Sequence, residues 1–459
     1  MLKLSVIGAG YLGAVHAAAM ASLGFDVVAV DVDADRIATL AAGRAPFFEP
    51  GFDELLAEVM PTRRLRWTTD YAALAEADVH FLCVGTPQHR GAKGANLEYV
   101  WAAVAALMPH AKPESVIAGK STVPVGTAEQ IAQRFRTEWP AAAPDRRADA
   151  VPEVVWNPEF LREGYAVADT LRPDRIVIGV RTTATAAATV DAGAAAAAEA
   201  RMREVYAAQI AEGIPFMVTD LATAELVKVA ANAFLATKIS FINAMAEVCE
   251  ATGADVTQLA DAIGYDQRIG RKFLGAGIGF GGGCLPKDIR AFSARAGEIG
   301  VDQALTFLRE VDDINTRRRY RAVETARNLL GGSFRGQRVC VLGAAFKPNS
   351  DDVRDSPALD IAARIHNEGG RVVVHDPKAL PNAEARYPAL TYEPDLTSAL
   401  AGADVVLVLT EWQQYRDLDP QQTALIVAAP RILDGRNTLD AAAWRGVGWT
   451  FRGMGREHG

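Results

Sequence analysis

The 459-residue sequence has only four cysteines, Cys83, Cys249, Cys284 and Cys340, and no two stand at C-x-x-C spacing. That pattern excludes a zinc ribbon and a dithiol redox pair, and no metal site is expected. Cys83, Cys249 and Cys340 lie in apolar, periodic segments and read as small buried hydrophobes. Cys284 does not. An excess of basic residues is also missing: 48 Lys and Arg face 56 Asp and Glu, a net charge of −8. This argues against non-specific nucleic-acid binding, though not against a local basic pocket for phosphates. No run reaches 18 apolar residues, and Met1-Leu2-Lys3 leads straight into a strand-like segment. A cytoplasmic protein with no membrane and no nucleic-acid partner is therefore expected. No short-period repeat is present. With 50% hydrophobic residues, the chain can build two to four domains, each burying its own core.

Apolar runs alternate with helical segments along the first third: "LKLSVIGAG", "DVVAVDVD", "DVHFLCVGTP", "SVIAGKSTVP", then "VVWNPEF" and "RIVIGV". Such runs imply a parallel sheet covered on both faces. Residues 183–206 are Ala-rich and predicted helical. From Thr219 to Gly253 the chain has no proline, with Asp220 as N-cap and Gly253 as stop, so one helix of about 45–50 Å is predicted. It is apolar over more than one face, through Leu226, Val229, Ala233, Phe234, Phe241, Met245 and Val248. We read it as a spine between domains, buried all round, with part of its surface against a second subunit. After an Arg-rich stretch at 315–322 the alternation restarts with "RVCVLGAAFK", "RVVVHDP", "ADVVLVLT" and "RILDGRN". The expected fold is α/β: two Rossmann-like parallel-sheet domains, 1–210 and 315–459, joined by a long central helix and small helical domain, 211–314.

"GAGYLG" places Gly8, Gly10, Tyr11, Leu12 and Gly13 in a G-x-G-x-x-G pattern after a strand and at the start of a helix, with a second strand ending in Asp31. In that context it is a dinucleotide fingerprint. Gly8 permits the tight turn. Gly10 lets backbone amides approach a pyrophosphate, and Gly13 lets helix and strand pack closely. Asp31 can accept from a ribose diol and repels a 2′-phosphate, which favours NAD over NADP. Arg36 can either neutralise Asp31 or contact the adenosine side. Gly85-Thr86 and Ser121-Thr122 each follow a strand and lie at the carboxyl edge of the sheet, where ligands bind.

"GIGFGGGCLPKD" belongs to a stretch with six glycines in nine residues, Gly275 to Gly283, ending at Cys284. A Walker A loop would need G-x-x-x-x-G-K-[ST], which is absent. Pro286 fits the first position of a helix, placing Cys284 just before its N-terminus, where the helix dipole favours a thiolate. The glycines are then expected to clear space for a substrate and a nicotinamide beside the sulfur. On the predicted spine, Lys228 and Asn232 share a face. A lysine on an apolar stripe can orient water or stabilise an oxyanion; the alternative is a snorkelling lysine paired with Glu225. "NPEFLREG" carries Glu159 and Glu163 four apart, suited to acid–base work or to gripping hydroxyls, or else a solvated helix start.

These stretches, with "GAAFKPNSDDVRDSP", together resemble the UDP-glucose/GDP-mannose dehydrogenase family over nearly the whole chain and in family order. The resemblance implies NAD-dependent four-electron oxidation of C6 of a nucleotide sugar, UDP-glucose to UDP-glucuronate, with dTDP-glucose, GDP-mannose and UDP-N-acetylmannosamine as alternatives. It implies Cys284 as nucleophile, through a thiohemiacetal and a thioester. A two-electron dehydrogenase of the same layout would not need that residue. It further places Lys228, Thr122 and Asn232 around C6 and Asp288 at the attacking water. Glu159 and Glu163 serve substrate contacts and thioester hydrolysis, and Thr122 and Glu163 also face the cofactor. Phe160, Leu161, Phe280, Gly281, Phe346, Lys347 and Arg436 are placed at the sugar nucleotide, and Arg354 at NAD. Arg268 is implied to reach the neighbouring subunit's site, in a homodimer or larger homo-oligomer. The chain departs from the pattern at Gly283, where serine is common, and at Ala244, where many members carry Glu.

Overall fold

The structure, a computed structural model, describes residues 2–89, 91, 93–142, 150–182 and 192–456. The chain divides into two compact units, Met1–Ala231 and Asn232–Gly459.

In the first unit eight strands form one sheet: β1 (Lys3–Ile7), β2 (Asp26–Val30), β3 (Leu65–Thr68), β4 (Val79–Leu82), β5 (Val116–Gly119), β6 (Glu153–Trp156), β7 (Ile176–Val180) and β8 (Phe216–Asp220). Their order is β3-β2-β1-β4-β5-β6-β7-β8. Neighbours are parallel except β6 and β7, which meet antiparallel. The strands expected to be parallel thus include one reversal. The continuous apolar runs follow from burial on both faces. Helices Tyr11–Ser22, Phe52–Val59 and Ala192–Val205 cover one face, and Glu98–Leu107 and Thr127–Ala142 the other. Phe81, Phe135, Trp139 and Trp156 are fully buried between these layers, each such side chain contributing about 1.5–3 kcal/mol. Of the Ala-rich helix expected over 183–206, the structure shows Ala192–Val205; residues 183–191 lie outside the described residues.

The second unit holds a six-stranded parallel sheet of β9 (Arg338–Leu342), β10 (Arg371–His375), β11 (Thr391–Tyr392), β12 (Val405–Val408), β13 (Arg431–Asp434) and β14 (Thr450–Gly453), ordered β11-β10-β9-β12-β13-β14. All its pairings are parallel. The Arg-rich stretch at 315–322 lies inside helix Phe307–Leu329, with Asn315, Arg318 and Arg319 buried.

The predicted spine is helix Leu221–Thr252, 32 residues long. By length and apolar composition it could cross a membrane, yet it carries buried Glu225, Lys228 and Asn232, as a core helix does. It is not buried all round: Phe234, Phe241 and Val248 are exposed. These three stand at seven-residue spacing, so they form one stripe.

Candidate active site

At the end of β1, Gly8 turns with φ of +95°. A Cβ there would press on the Cys83–Val84 backbone at 3.0 Å, and one on Gly13 would strike the Gly8 carbonyl. Helix Tyr11–Ser22 can therefore close onto the sheet only with glycine at these places. Nothing lies within 4 Å of the Cβ position of Gly10, which is the N-cap and offers no side chain to the first helical amides. Open space over uncapped amides is what an approaching pyrophosphate needs. Buried Asp31 accepts from the amides of Ala9 at 2.6 Å and Asp33 at 3.0 Å, and from Arg36 Nη1 at 3.2 Å. Of the two roles open to Arg36, the structure shows the ion pair with Asp31. Turn, helix start and acid together fit a dinucleotide.

The neighbouring strand ends are laced to each other. Thr86, which follows β4, donates from its hydroxyl to the Thr122 carbonyl at 2.8 Å. Ser121 donates to the Val84 carbonyl at 2.7 Å. Buried Lys120 donates to Asn157 Oδ1 at 3.0 Å, joining the ends of β5 and β6. The "NPEFLREG" segment is a loop, not a helix; the next helix begins at Ala166. Glu159 on that loop accepts from the Leu161 amide at 2.8 Å and from Lys228 Nζ at 3.0 Å. Both members of the Lys228–Glu159 pair are largely buried, which restricts water and strengthens their attraction. Lys228 Nζ also stands 5.9 Å from the Phe160 ring. Glu225 accepts from the amides of Gly126 and Ala128 at 2.7 Å each, so it serves the start of helix Thr127–Ala142. Glu163, on the same loop as Glu159, is buried.

In the second unit, Cys284 is the N-cap of helix Leu285–Glu298. Pro286 stands at its second position, one later than expected. Cys284 is exposed, whereas the other three cysteines are buried. Burial pushes the Cys83 and Cys340 thiols up to about 12 and raises that of Cys249, so they stay protonated. One turn into the helix, Asp288 is buried. It accepts from Asn232 Nδ2 at 2.7 Å and pairs with Lys287 Nζ at 2.6 Å. A cysteine, a carboxylate, an amide and an ammonium thus converge on one helix start. Lys287 was passed over in the sequence, although it adjoins Asp288 in the same motif.

The glycine run makes room within the chain itself. A Cβ on Gly281 would strike the Asp355 carbonyl, one on Gly282 would lie 2.7 Å from the Phe346 ring, and one on Gly283 would overlap the Arg354 guanidinium. The clearance admits the chain's own 346–357 loop. It also brings Phe346 and Arg354 beside the residues just before Cys284. A serine at 283 would require the Arg354 guanidinium to shift. Asn315 accepts from the Phe280 amide at 2.7 Å and donates to its carbonyl at 2.9 Å, and Arg318 donates to the Gly277 carbonyl at 3.2 Å. These buried clamps carried no motif to find them by. Arg436 donates to the carbonyls of Gly279, Leu409 and Phe346 at 2.8, 2.9 and 3.2 Å. Burial lowers its pKa, and Glu411 opposes the shift. Arg354 forks onto Asp352, and Lys347 Nζ stands 5.2 Å from the Phe346 ring. Arg268 is set apart: it pairs with Asp266, and its side chain is 89% exposed.

The second sheet has its own acid after β10, Asp376, but five donors fill it: the amides of Ala344, Ala345, Lys378 and Ala379, and Trp412 Nε1. A carboxylate offers about four lone-pair sites, so Asp376 has none left for a ribose. The dinucleotide belongs to the first sheet.

An NAD-dependent oxidoreductase built from two Rossmann-like sheets is the class this fold and turn define. Residues 2–209 match the NAD binding domain of the UDP-glucose/GDP-mannose dehydrogenase family, 222–317 its central domain and 340–441 its UDP binding domain. The chain is 40% identical to a UDP-glucose 6-dehydrogenase of Rhizobium meliloti, covering 99% of this chain and 100% of that one. It is 38% identical to the UDP-glucose 6-dehydrogenase TuaD of Bacillus subtilis, over 99% and 94%. A solved UDP-glucose dehydrogenase of Pyrobaculum islandicum superposes with a TM-score of 0.85 at 36% identity, covering 99% and 98%. A UDP-D-ManNAc dehydrogenase of Pyrococcus horikoshii does so with 0.83 at 26%, covering 99% of each. The chain belongs to the UDP-glucose/GDP-mannose dehydrogenase family, and its cofactor is NAD.

Proposed function

We propose that this protein oxidises the C6 alcohol of UDP-glucose to the carboxylate of UDP-glucuronate, with Cys284 as a covalent anchor. The observation that carries the reading is the exposed Cys284 at a helix N-cap, with Asp288, Asn232 and Lys287 grouped one turn away. The relatives named UDP-glucose 6-dehydrogenase support the substrate. Per sugar, one alcohol, one water and two NAD give one carboxylate, two NADH and three protons. Bound at the Gly8–Gly13 turn and Asp31, NAD supplies the hydride acceptor. Thr86, Thr122, Glu163 and Arg354 complete its site.

The thiolate of Cys284 adds to the C6 aldehyde to form a thiohemiacetal, which becomes a thioester after the second oxidation. A thioester keeps the half-oxidised sugar attached while the cofactor is exchanged. Lys228, held by Glu159, and Asn232 stabilise the oxyanion at C6. Asp288 orients the water that releases the acid, and Glu163 assists that hydrolysis. Phe160, Leu161, Phe280, Gly281, Phe346, Lys347 and Arg436 hold the sugar nucleotide. Arg268 reaches a second subunit, so the active form is a homodimer or larger, in the cytoplasm. Functionally the chain divides at 210 and 314. Cys284→Ser is expected to bind NAD and UDP-glucose normally yet form no UDP-glucuronate, with at least a 1,000-fold loss in kcat (~4 kcal/mol of barrier). Undiminished acid formation would overturn the covalent route. Two NADH per UDP-glucose, and slower turnover of dTDP-glucose, GDP-mannose and UDP-N-acetylmannosamine, are the expected stoichiometry and preference.

A further inference from the structure

The loop bearing Glu159 and Glu163 ends where helix Ala166–Leu171 begins, and the N-cap of that helix, Tyr165, makes no side-chain cap. The amides there are served from elsewhere in the first unit. Glu49, only 4% exposed, accepts from the Gly164 amide at 2.7 Å and from the Ala166 amide at 2.6 Å. The Tyr11 hydroxyl donates to the same carboxylate, and the Gly164 amide also lies 3.0 Å from the Tyr11 oxygen. The Tyr11 ring rests on Phe47 at 4.8 Å, and Phe47 stacks on Phe52. Tyr11 is the first residue of the helix that follows Gly10. One buried carboxylate therefore ties the dinucleotide turn to the residue after Glu163. Such a clamp is rigid because each carboxylate oxygen accepts a charge-assisted bond in a dry setting.

We propose that Tyr11 and Glu49 form a positioning pair that holds Glu163 in place and makes its placement depend on NAD docking at the turn. The proposal rests on the reading of Glu163 given above. Tyr11→Phe keeps the ring on Phe47 and removes only the hydroxyl. Glu49→Gln keeps the volume and turns one acceptor into a donor, which faces an amide that is itself a donor.

Three variants decide it: Tyr11→Phe, Glu49→Gln and Glu163→Gln. Each is measured for kcat and for NAD affinity by calorimetry, and for hydrogen exchange at the Gly164 and Ala166 amides with and without NAD. In the parent protein, NAD is expected to slow exchange at both amides at least threefold. In Tyr11→Phe and Glu49→Gln that slowing disappears. Both variants are expected to lose roughly tenfold or more in kcat, within the loss that small misplacements produce, and their effects do not add in the double variant. A purely structural role would lower the melting temperature yet preserve the NAD-induced slowing, and would overturn the proposal. If Glu163→Gln is impaired while Tyr11→Phe and Glu49→Gln turn over normally, the positioning pair is refuted and the reading of Glu163 stands. If Glu163→Gln turns over normally, that reading falls, and the exchange data alone then judge the link between turn and loop. Should Glu49→Gln not fold, Tyr11→Phe carries the same test.

Discussion

His16 faces the interior from helix Tyr11–Ser22, with its ring edge-on to Phe81 at 4.5 Å. Burial lowers its pKa well below the usual value, and the nearby Lys120 ammonium lowers it further. The folded protein thus excludes a proton that the unfolded chain binds below about pH 6.5. This residue's contribution to stability is complete above that pH and falls as the pH drops toward the folded value, by at most about 1.4 kcal/mol per pH unit. His16→Leu should flatten that decline, so that the urea midpoint of the variant changes less between pH 7 and pH 5 than that of the parent. The sequence displayed His16 only as one residue of a helical segment. Its environment depends on β4 and β5, which supply Phe81 and the residue before Ser121. The Lys228–Glu159 pair was hidden in the same way. A buried lysine was legible from its apolar stripe, but not which carboxylate it meets. Removing either member strands a buried charge, at a cost of roughly 3–5 kcal/mol. Lys228→Ala is therefore expected to lower both kcat and the urea midpoint, and Lys228→Arg to restore more of the second than of the first.

Helix Phe307–Leu329 sets the conformation of the glycine run. Asn315 supplies both an acceptor and a donor to Phe280, in the manner of a paired strand. Arg318 reaches the Gly277 carbonyl and pairs with Glu250 at 3.2 Å, which opposes the lowering of its pKa by burial. Asn243 accepts from the Gly277 amide at 2.9 Å. Glycines cannot hold a shape by themselves, so the conformation comes from these polar side chains. Asn315→Leu leaves the buried Phe280 amide without its acceptor and is expected to cost about 1–3 kcal/mol. Urea unfolding would show it as a lower midpoint with an unchanged slope, and kcat should fall because Cys284 follows the run directly. The sequence marked 315–322 only as an Arg-rich stretch before the second alternation. The side chains that set the run's shape are distant from it in the chain, so no local pattern paired them. The start of helix Leu285–Glu298 was read within one position, because a proline after an N-cap is a signal contained in four residues.

Across the whole molecule, the two sheets carry similar turns with unequal fates. Asp31 keeps acceptor capacity beside an open helix start, while Asp376 is filled by its own loop. After β9 the chain has Gly343, but Ala345 and Pro348 stand where the dinucleotide fingerprint has its second and third glycines. The stripe of Phe234, Phe241 and Val248 on helix Leu221–Thr252 is large, apolar and exposed, as at an interface between subunits. If the proposed homo-oligomer forms through this face, Phe241→Asp is expected to leave monomers in sedimentation velocity, and to abolish activity if Arg268 acts in the partner's site. A variant that stays assembled would count against this face as the contact.

Short-range patterns sufficed for the dinucleotide turn, the preference for NAD, the alternation of strands and helices, and the thiol at a helix start. Each is a constraint between residues within about two dozen positions, where backbone geometry leaves few choices. The pairing of Lys228 with Glu159, the filling of the glycine notches by the 346–357 loop, the reversal at β7 and the Tyr11–Glu49 clamp came only with packing. In each of these, a buried polar or bulky group had to find its partner among everything the folded chain brought near, and burial makes an unmatched group too costly to leave.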